Sequence, residues 1–543
     1  MKKTVLQLLK QMIGVAKKSN TDVKPNINGE KTEMPKSGAL SRSLDSNIQK
    51  IQAYLGHSDD LYIRYFELAT LPCTRAAIIF IDTLVEQNTL ESSVLTPLTQ
   101  GIGQRTVDDR AFLGSNIHRL IKTTLSNSNI IFINDITVGI EKLLLGKGIL
   151  LIDKYESIVA ISIPKDTDKK HTEPQSEKVV RGPQQGFVED IIINTYMIRK
   201  RIKSPNLLVK DMNIGKASKT QIRVIYIHNI VTPSIVEELF KRLERIDVDG
   251  IIGSAAIEEY INDAPTNLFQ TTFYTERPDR AQSMLLEGRI CVICDGTPFV
   301  IILPAIISDF FISSDDYYQN PYFATFNRFI SYLGGFMLTF LPAFYIAVIT
   351  FHHEILPTTL ALTIAGAREG VPFPAFVEAL LMEVAFEGLR QAGIRLPNHI
   401  GQAVSIVGAL IIGQSAVEAG IVSSAVVIVV ATTAIFSFAM PYTNFTSSLR
   451  IVRFFMMALA ATLGIYGIMT GALVLALNLI SLRSLGIPFM TPFAPLSIQD
   501  MKDWVLRFPQ WAITKRSPYI VKQNIQKKSK HLKPRPNTNE RRK

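Results

Sequence analysis

The chain has 543 residues, of which 47% are hydrophobic and 19% charged, with a mean hydropathy of +0.19 and a formal net charge of +11. A positive mean hydropathy over this length excludes a disordered or nucleic-acid-tail protein, and it is high for one or two ordinary soluble domains. Membrane spans are therefore expected.

The positive charge lies at the two ends of the chain. Residues 1–45 carry nine Lys and Arg against four Asp and Glu, and residues 512–543 carry eleven against one, which leaves a net charge of −4 between them. Without interleaved aromatic residues or a nucleic-acid-binding fold, these ends favour an anionic membrane surface over nucleic acid. Met1 to Lys18 is weakly amphipathic but is followed by no signal-peptide cleavage site, and residues 19–45 lack apolar periodicity. Residues 1–45 are therefore predicted to be a disordered basic arm. Residues 496–543 are predicted to be a basic cytosolic tail.

Two α/β subdomains are predicted after the arm. Residues 46–163 alternate between helical and strand patterns, and a charged, Pro-containing linker follows at 164–186. Residues 187–295 form the second subdomain, in which helical spacing from Phe187 to Ile202 precedes strand patterns such as Gln221 to His228. Because no signal peptide precedes them, both subdomains are expected in the cytosol.

Cysteine is scarce, with only Cys73, Cys291 and Cys294. Three thiols cannot make a disulfide framework, which is typical of a reducing compartment. Cys291 and Cys294 form a C-x-x-C, but on a strand this offset sends them to opposite faces, and no second Cys or His pair accompanies them. A buried strand is favoured over a redox or zinc site. No metal, cofactor or catalytic residue is predicted, because the usual phosphate-loop, zinc and nucleophile motifs are absent from the sequence.

The carboxyl half contains four long segments free of Asp, Glu, Lys and Arg. The shortest has 22 residues, more than the roughly 20 that a helix needs to cross a hydrocarbon core of about 30 Å. We therefore predict an all-α polytopic membrane domain at 296–495, with full spans near 329–353, 396–417, 419–440 and 454–482. Three shorter stretches are predicted to form re-entrant or interfacial helices, near 296–308, 355–367 and 375–391.

An even number of spans keeps both basic ends in the cytosol, in agreement with the positive-inside rule. Several arginines conflict with four spans, because this topology places them on the outside: Arg368, Arg390, Arg395, Arg450 and Arg453. Either those segments dip inward or the number of spans is wrong.

Three glutamates interrupt the last of the short apolar helices. At 100° per residue Glu383 and Glu387 share a face, and Glu378 lies about 140° from Glu383. Copies of this helix could ring a water-filled cation path, or the glutamates could face headgroup water, with Glu387 paired to Arg390. Glu418, alone between two apolar segments, faces either a cavity or a turn between spans. These four glutamates are the candidate ion-path residues.

Several ordered sequence blocks carry a resemblance to a known family. They include Gly182-Pro183-Gln184-Gln185-Gly186, Thr275-Glu276-Arg277-Pro278-Asp279, Asp295-Gly296-Thr297-Pro298, Asp315-Asp316-Tyr317-Tyr318, Val371-Pro372-Phe373-Pro374 and Gly486-Ile487-Pro488-Phe489. From about residue 58 to 510 the chain resembles the A subunit of the GerA-type nutrient germination receptors of endospore-forming bacteria. Gln391 stands where that pattern commonly has an acid, so no acidic role is carried over to it.

The resemblance implies a multi-pass protein of the inner spore membrane. It also implies a transporter-like B subunit that senses the nutrient, a C-subunit lipoprotein, and a homo-oligomeric ring whose membrane part conducts monovalent cations. No catalytic residue or cofactor belongs to that picture. Two alternatives stay open: a sporulation-stage A-subunit paralogue that amplifies ion release without sensing a nutrient, and a membrane-anchored signalling scaffold with no pore.

Overall fold

A computed structural model of the chain describes residues 39–69, 74–100, 118, 121–122, 124–125, 129–165, 172–395, 411–498, 500–529 and 532–534. These residues form two α/β subdomains followed by an all-α region, which confirms the predicted fold class. The predicted arm at 1–45, Cys73 and the predicted span at 396–417 lie wholly or largely outside the described residues.

The first subdomain is a five-stranded antiparallel sheet covered on both faces. Its strands are β1 (Leu61–Glu67), β2 (Arg75–Ile81), β3 (Ile130–Ile133), β4 (Lys147–Ile152) and β5 (Ile158–Ser162), in the spatial order β1-β2-β4-β5-β3. Its helices are α1 (Leu44–Leu55), α2 (Gln87–Leu90), α3 (Thr96–Gln100) and α4 (Ile136–Leu144), with a π-helical turn at Glu91–Leu95. Since successive strand side chains point to opposite faces, β2 buries Ile79 under α1 and α4, and Ile78 under the segment containing α2 and α3.

The second subdomain repeats this antiparallel architecture. Its strands are β6 (Leu207–Ile214), β7 (Thr220–Ile227), β8 (Phe273–Thr275), β9 (Ile290–Cys294) and β10 (Val300–Leu303), in the spatial order β6-β7-β9-β10-β8. Its helices are α5 (Ile191–Arg201), α6 (Pro233–Glu244), α7 (Ser254–Ile261) and α8 (Pro278–Leu286). α5 begins where it does because the Asp190 carboxylate accepts hydrogen bonds from the backbone N–H groups of Ile192 and Ile193.

The prediction of a short membrane helix at 296–308 is wrong. Val300–Leu303 forms β10, which pairs with β9 and β8, and Ile307–Phe310 forms a 3₁₀ turn. A strand buried on both faces has a continuous apolar sequence, so apolarity alone does not distinguish it from a membrane segment. The neighbouring strand β9 buries Cys291 and Cys294, as predicted, and burial raises the pKa of the Cys294 thiol to about 11.

Arg199 joins the two subdomains. Its Nε and Nη2 atoms each donate a hydrogen bond of 2.8 Å to the carboxylate of Asp60, which immediately precedes β1. Ser58 donates to the same carboxylate at 2.7 Å and accepts from the backbone N–H of Val209 in β6 at 2.9 Å. Because Arg199 and Asp60 are both buried, this bidentate pair fixes the first subdomain against the second.

The described part of the predicted linker, residues 172–186, lies against the second subdomain. The Glu276 carboxylate accepts hydrogen bonds from the backbone N–H groups of Gln175 and Ser176, at 2.7 and 3.1 Å. Arg277 donates to the backbone carbonyls of Glu177 and Pro183. Two of the sequence blocks that carry the family resemblance therefore contact each other directly.

The all-α region contains six helices whose bounds lie within the described residues: α9 (Pro321–Phe351), α10 (Thr358–Arg368), α11 (Ala375–Arg395), α12 (Ser424–Phe438), α13 (Thr443–Leu463) and α14 (Ile465–Ser481). Among the described residues, α9 and α13 are long and apolar enough to cross a membrane, and α12 and α14 are shorter apolar helices. Large apolar side chains are exposed on these helices, among them Phe329, Phe336, Ile435, Phe455 and Leu477. Such surfaces mark contact with lipid or protein.

The prediction of a single span at 454–482 is wrong. The chain turns at Gly464, which has a φ of +61° and separates α13 from α14. A Cβ atom at this position would lie 2.8 Å from the ring of His352, so the tight turn needs glycine. α13 begins earlier than predicted, at Thr443, and it includes Arg450 and Arg453. The absence of charged residues identified the apolar stretch at 454–482, but it gave no sign of the turn at Gly464 within that stretch.

The helical region begins and ends beside the second subdomain. At its end, Asn478 of α14 accepts a hydrogen bond of 2.7 Å from Asn267, and Ser484 donates one of 2.6 Å to the carbonyl of Thr271. α13 also begins there, since Ser448 donates to the carbonyl of Leu268 at 2.6 Å. α9 and α13 therefore run away from the subdomains, and α14 returns.

α11 runs back toward the subdomains inside this bundle. Glu378 near its start contacts the start of α12, and Glu387 near its end lies close to Arg450 in the second turn of α13. Its 21 residues correspond to about 31 Å of helix. A helix is present where one was predicted at 375–391, and it extends to Arg395. Its re-entrant or interfacial character stays a prediction, and paired charges allow the helix to pack among others despite its glutamates.

Gly334 allows α9 to approach α12 closely. A Cβ atom at this position would lie 3.0 Å from the backbone oxygen of Phe436. We expect Gly334→Ala to destabilise the bundle by about 1–3 kcal/mol in thermal unfolding of the detergent-solubilised protein, because the two backbones must separate. Gly388→Ala in α11 is the matched control, since a Cβ atom there would have no neighbour within 4 Å among the residues that the structure describes. Equal losses in both variants would contradict this explanation.

Candidate functional site

Glu383 of α11 is paired inside the helical bundle. Its Oε2 atom lies 2.8 Å from Nη2 of Arg453 in α13, and both side chains are almost completely buried. Thr433 of α12 donates a hydrogen bond of 3.3 Å to the other carboxylate oxygen. This acid therefore connects three helices within one copy of the chain.

Glu378 lies one and a half turns earlier on α11 and is fully buried. Its Oε1 atom accepts hydrogen bonds from Nε and Nη2 of Arg368 at 3.2 and 3.0 Å, and its Oε2 atom accepts one of 2.9 Å from the backbone N–H of Ser423. Ser423 is the N-cap of α12, so the carboxylate also sits at the positive end of that helix dipole. Glu378 thus joins α10, α11 and the start of α12.

Glu387 is less buried than these two acids. It accepts hydrogen bonds of 3.1 Å from Nε of Arg390, one turn further along α11, and a shorter contact from Nη2 of the same residue. Arg450 of α13 lies close enough to interact with it electrostatically. The local pairing with Arg390 is one of the two arrangements that the sequence left open.

Glu418 lies on the exposed surface of the helical turns at 411–418. Its carboxylate accepts a hydrogen bond of 2.8 Å from Gln414, one turn earlier. The structure thus brings Glu378, Glu383 and Glu387 onto one helix among arginines, and places Glu418 separately.

The pairing of the arginines is the part that sequence reasoning missed. Arg368, Arg450 and Arg453 appeared only as residues on the wrong side of the predicted topology. Their signal was present, because a charged residue within an apolar segment nearly always has a partner inside the bundle. Which acid pairs with which arginine depends on helix packing, and spacing along one helix does not reveal it.

A second buried charge cluster joins α9 to the rest of the protein. Arg328 donates through Nε to Asp316 at 2.9 Å and through Nη1 to Asp503 at 3.2 Å. The same Nη1 atom also donates to the backbone carbonyls of Asp503 and Trp504. The first long helix is thereby bonded both to the segment that precedes it and to the carboxyl-terminal segment.

Burial raises the pKa of Asp316 and of Asp503, and the Arg328 guanidinium opposes that rise. Both acids therefore depend on Arg328 to remain charged in the folded protein. Tyr317 donates a hydrogen bond of 3.1 Å to Asp503 and completes this cluster. The cluster therefore ties α9 to the segment before it and to the carboxyl-terminal segment.

The described residues contain no group of His, Cys, Asp and Glu that could hold a metal ion. What the helical region offers instead is a set of paired charges within apolar helices, together with hydrogen-bonded contacts to the second subdomain.

The sequence pattern of the family described as Bacillus/Clostridium GerA spore germination protein matches residues 49–519. The chain belongs to this family. Spore germination protein KA of Bacillus subtilis (strain 168) is 41% identical over 497 residues, which cover 92% of this chain and 90% of that protein. The uncharacterized membrane protein YfkQ of the same organism is 35% identical, over 92% of this chain and 96% of that protein. Relatives of this family support a role in spore germination.

One solved structure is also similar. It is the N-terminal domain of the A subunit of the Bacillus megaterium spore germinant receptor GerK3, with 28% sequence identity and a TM-score of 0.40. The match covers 50% of this chain and 99% of that domain. The resemblance to GerA-type A subunits that the sequence blocks indicated is confirmed by the family match and the relatives.

Proposed function

We propose that this protein is the A subunit of a nutrient-responsive germination receptor, and that several copies form a ligand-gated monovalent cation channel. The proposal rests on the difference between the interior and the surface of the helical region in this GerA-family chain. Ion pairs such as Glu383 with Arg453 lie inside it, and large apolar side chains are exposed outside it. Charged groups within apolar helices mark ion pathways more often than inert anchors.

We place the protein in the inner spore membrane, with the soluble subdomains and the tail on the core side. The start of α9 and the end of α14 both lie beside the second subdomain, which supports an even number of crossings. The return of α11 moves Arg390, and the start of α13 moves Arg450, toward the subdomain side. This arrangement removes most of the conflict with the positive-inside rule that four spans produced.

The partners we propose are a transporter-like B subunit, a lipoprotein C subunit, further copies of this chain, and membrane lipid. Membership of the GerA family supports the first two, because an A subunit in general implies B and C subunits in the same receptor. The exposed apolar side chains of α12, α13 and α14 supply surface for such contacts.

Of the four acids predicted along the ion path, Glu378, Glu383, Glu387 and Glu418, we propose that two support the path and two face it. Glu378 and Glu383 are buried in ion pairs, so we assign them to holding the helices in place. Glu387 and Glu418 retain exposed carboxylate surface, so we assign them to attracting cations.

Potassium efflux from liposomes tests this assignment, with the protein reconstituted together with its B and C partners. We expect Glu387→Gln combined with Glu418→Gln to lower nutrient-triggered efflux about tenfold, because acidic groups raise the local cation concentration. Glu244→Gln, an exposed acid at the end of α6, is the matched control.

Unchanged efflux in a correctly inserted double variant would remove these two residues from the path. If the wild-type protein releases potassium at the same rate with and without nutrient, the amplifying paralogue would be favoured. No efflux with any partner would favour the scaffold.

A further inference from the structure

A cavity of about 120 Å³, lined by both charged and apolar side chains, lies where the second subdomain, the segment before α9 and the carboxyl-terminal segment meet. All three parts contribute side chains, among them Arg280, Arg289, Ser308, Tyr317, Trp504 and Arg516. A single water needs only about 10–15 Å³, so the cavity has room for several waters or for a small polyatomic ion.

Arg280 is the unusual side chain of this lining. The residue is only 5% exposed, and its Nε atom has no hydrogen-bond partner. Among the described residues no carboxylate forms an ion pair with it, and its guanidinium carbon lies 5.7 Å from the ring centroid of Phe273. Burial disfavours the Arg280 charge, and the carboxylates of Asp309 and Glu177 offset this electrostatically without forming an ion pair with it. A buried arginine with no carboxylate in direct contact keeps donors available for an anion or water.

The nearby acids are already engaged by other groups. Asp309 accepts from Arg289 and from the backbone N–H of Ile306. Glu177 accepts from Thr275 at 2.8 Å, and burial raises its pKa to about 7, which weakens its charge near neutral pH. Around the whole cavity, six Lys and Arg side chains face four Asp and Glu side chains. The lining therefore has an excess of positive charge.

We propose that this cavity binds a small oxyanion, a phosphate or carboxylate group, on the Arg280 guanidinium. The planar fork of an arginine matches two oxygens of either group, and it is weakly hydrated, which favours binding in a buried position. Ser283 and Ser308 lie in the same lining and can donate from their hydroxyls. Two sources can supply the group: a dissolved anion, or the headgroup of a lipid.

A lipid headgroup is one of the two sources because the cavity adjoins the membrane region. Asp503, which lines it, is bonded to Arg328 of α9. A bound oxyanion would therefore brace the junction between the soluble subdomains and the first long helix. The binding itself does not depend on channel activity.

Tryptophan fluorescence tests the proposal, because Trp504 lines the cavity and the sequence has only one other tryptophan, Trp511. The full-length protein carrying Trp511→Phe is titrated in a phospholipid-free detergent with inorganic phosphate against chloride at constant ionic strength. We expect a saturable change in Trp504 fluorescence. Arg280→Gln should weaken the apparent affinity at least tenfold, whereas Arg245→Gln, an exposed arginine after α6, should leave it unchanged.

A parallel titration with acetate and with dihexanoyl phosphatidic acid identifies the source. Saturation by phosphate or acetate assigns a dissolved anion, and saturation by the short-chain lipid alone assigns a headgroup; either result supports an oxyanion site. No saturable response to any of the three, or an equal response in Arg280→Gln, overturns the proposal.

A second measurement does not depend on how Arg280→Gln folds. In the unmodified protein, the oxyanion that saturates the fluorescence signal should raise the unfolding temperature more than chloride at equal ionic strength, because it binds only the folded state. Arg280→Lys, which keeps the charge but loses the fork, should reduce that increase. A rise of equal size with chloride would overturn the proposal.

Discussion

Replacing Arg453 by Met is expected to destabilise the helical bundle by about 3–5 kcal/mol. The Glu383 carboxylate is only 1% exposed, so the substitution leaves a buried charge without its cation. The expected readout is a large loss of folded protein in detergent-denaturant titrations. Arg395→Met, at the exposed end of α11, is the matched control.

The double variant Glu383→Gln with Arg453→Met is expected to recover most of the lost stability. Removing both partners of a buried pair is often neutral, whereas removing one leaves the other uncompensated. A double variant that is as unstable as the sum of the two single variants would contradict the ion pair. The ion pair would also be contradicted if Arg453→Met alone were as stable as the control Arg395→Met.

Replacing Arg328 by Met is expected to have an effect of similar size, about 3–5 kcal/mol, at a different place. This side chain is completely buried and bonds Asp316, Asp503 and the carbonyl of Trp504. Its loss should release the carboxyl-terminal segment from α9, which limited proteolysis of the full-length protein would detect. Arg328→Lys should restore little, because one ammonium group does not reproduce the separate Nε and Nη1 contacts.

The pH dependence of this variant gives a second test. Without Arg328 the effect of burial is opposed only by weaker influences, Arg280 on Asp316 and Arg507 and Tyr317 on Asp503, so the pKa values of both acids in the folded state should rise further. Acids whose pKa is higher in the folded state than in the unfolded state lose stability as pH rises through that interval. The deficit of Arg328→Met should therefore be smaller at pH 5 than at pH 8. A deficit that is independent of pH would contradict this explanation.

Much of the architecture could be predicted from sequence. The strand patterns and the change to charge-free segments indicated two α/β subdomains followed by an all-α region, because those signals are local. The prediction for 296–308 failed, since a strand buried on both faces has the same composition as a short membrane piece. The prediction for 454–482 failed because one glycine, Gly464, forms a turn that carries no charge.

The candidate site could be predicted only in part. Helical spacing placed Glu383 and Glu387 on one face and suggested the pair of Glu387 with Arg390, because both are properties of one helix. The contacts of Glu378 with Arg368 and of Glu383 with Arg453 join different helices, so they follow only from tertiary packing. Arg280, which forms no ion pair among the described residues, could not be identified for the same reason, since the cavity that it lines is formed by segments far apart in the sequence.

The most direct test of the proposed channel is the oligomeric mass of the gently solubilised protein, alone and with the proposed B and C partners. The helices of one copy are packed around their paired charges, so a water-filled path requires several copies. We predict a defined ring of several copies. A strict monomer under both conditions would contradict the channel and leave a sensor or scaffold that passes a signal to another conduit.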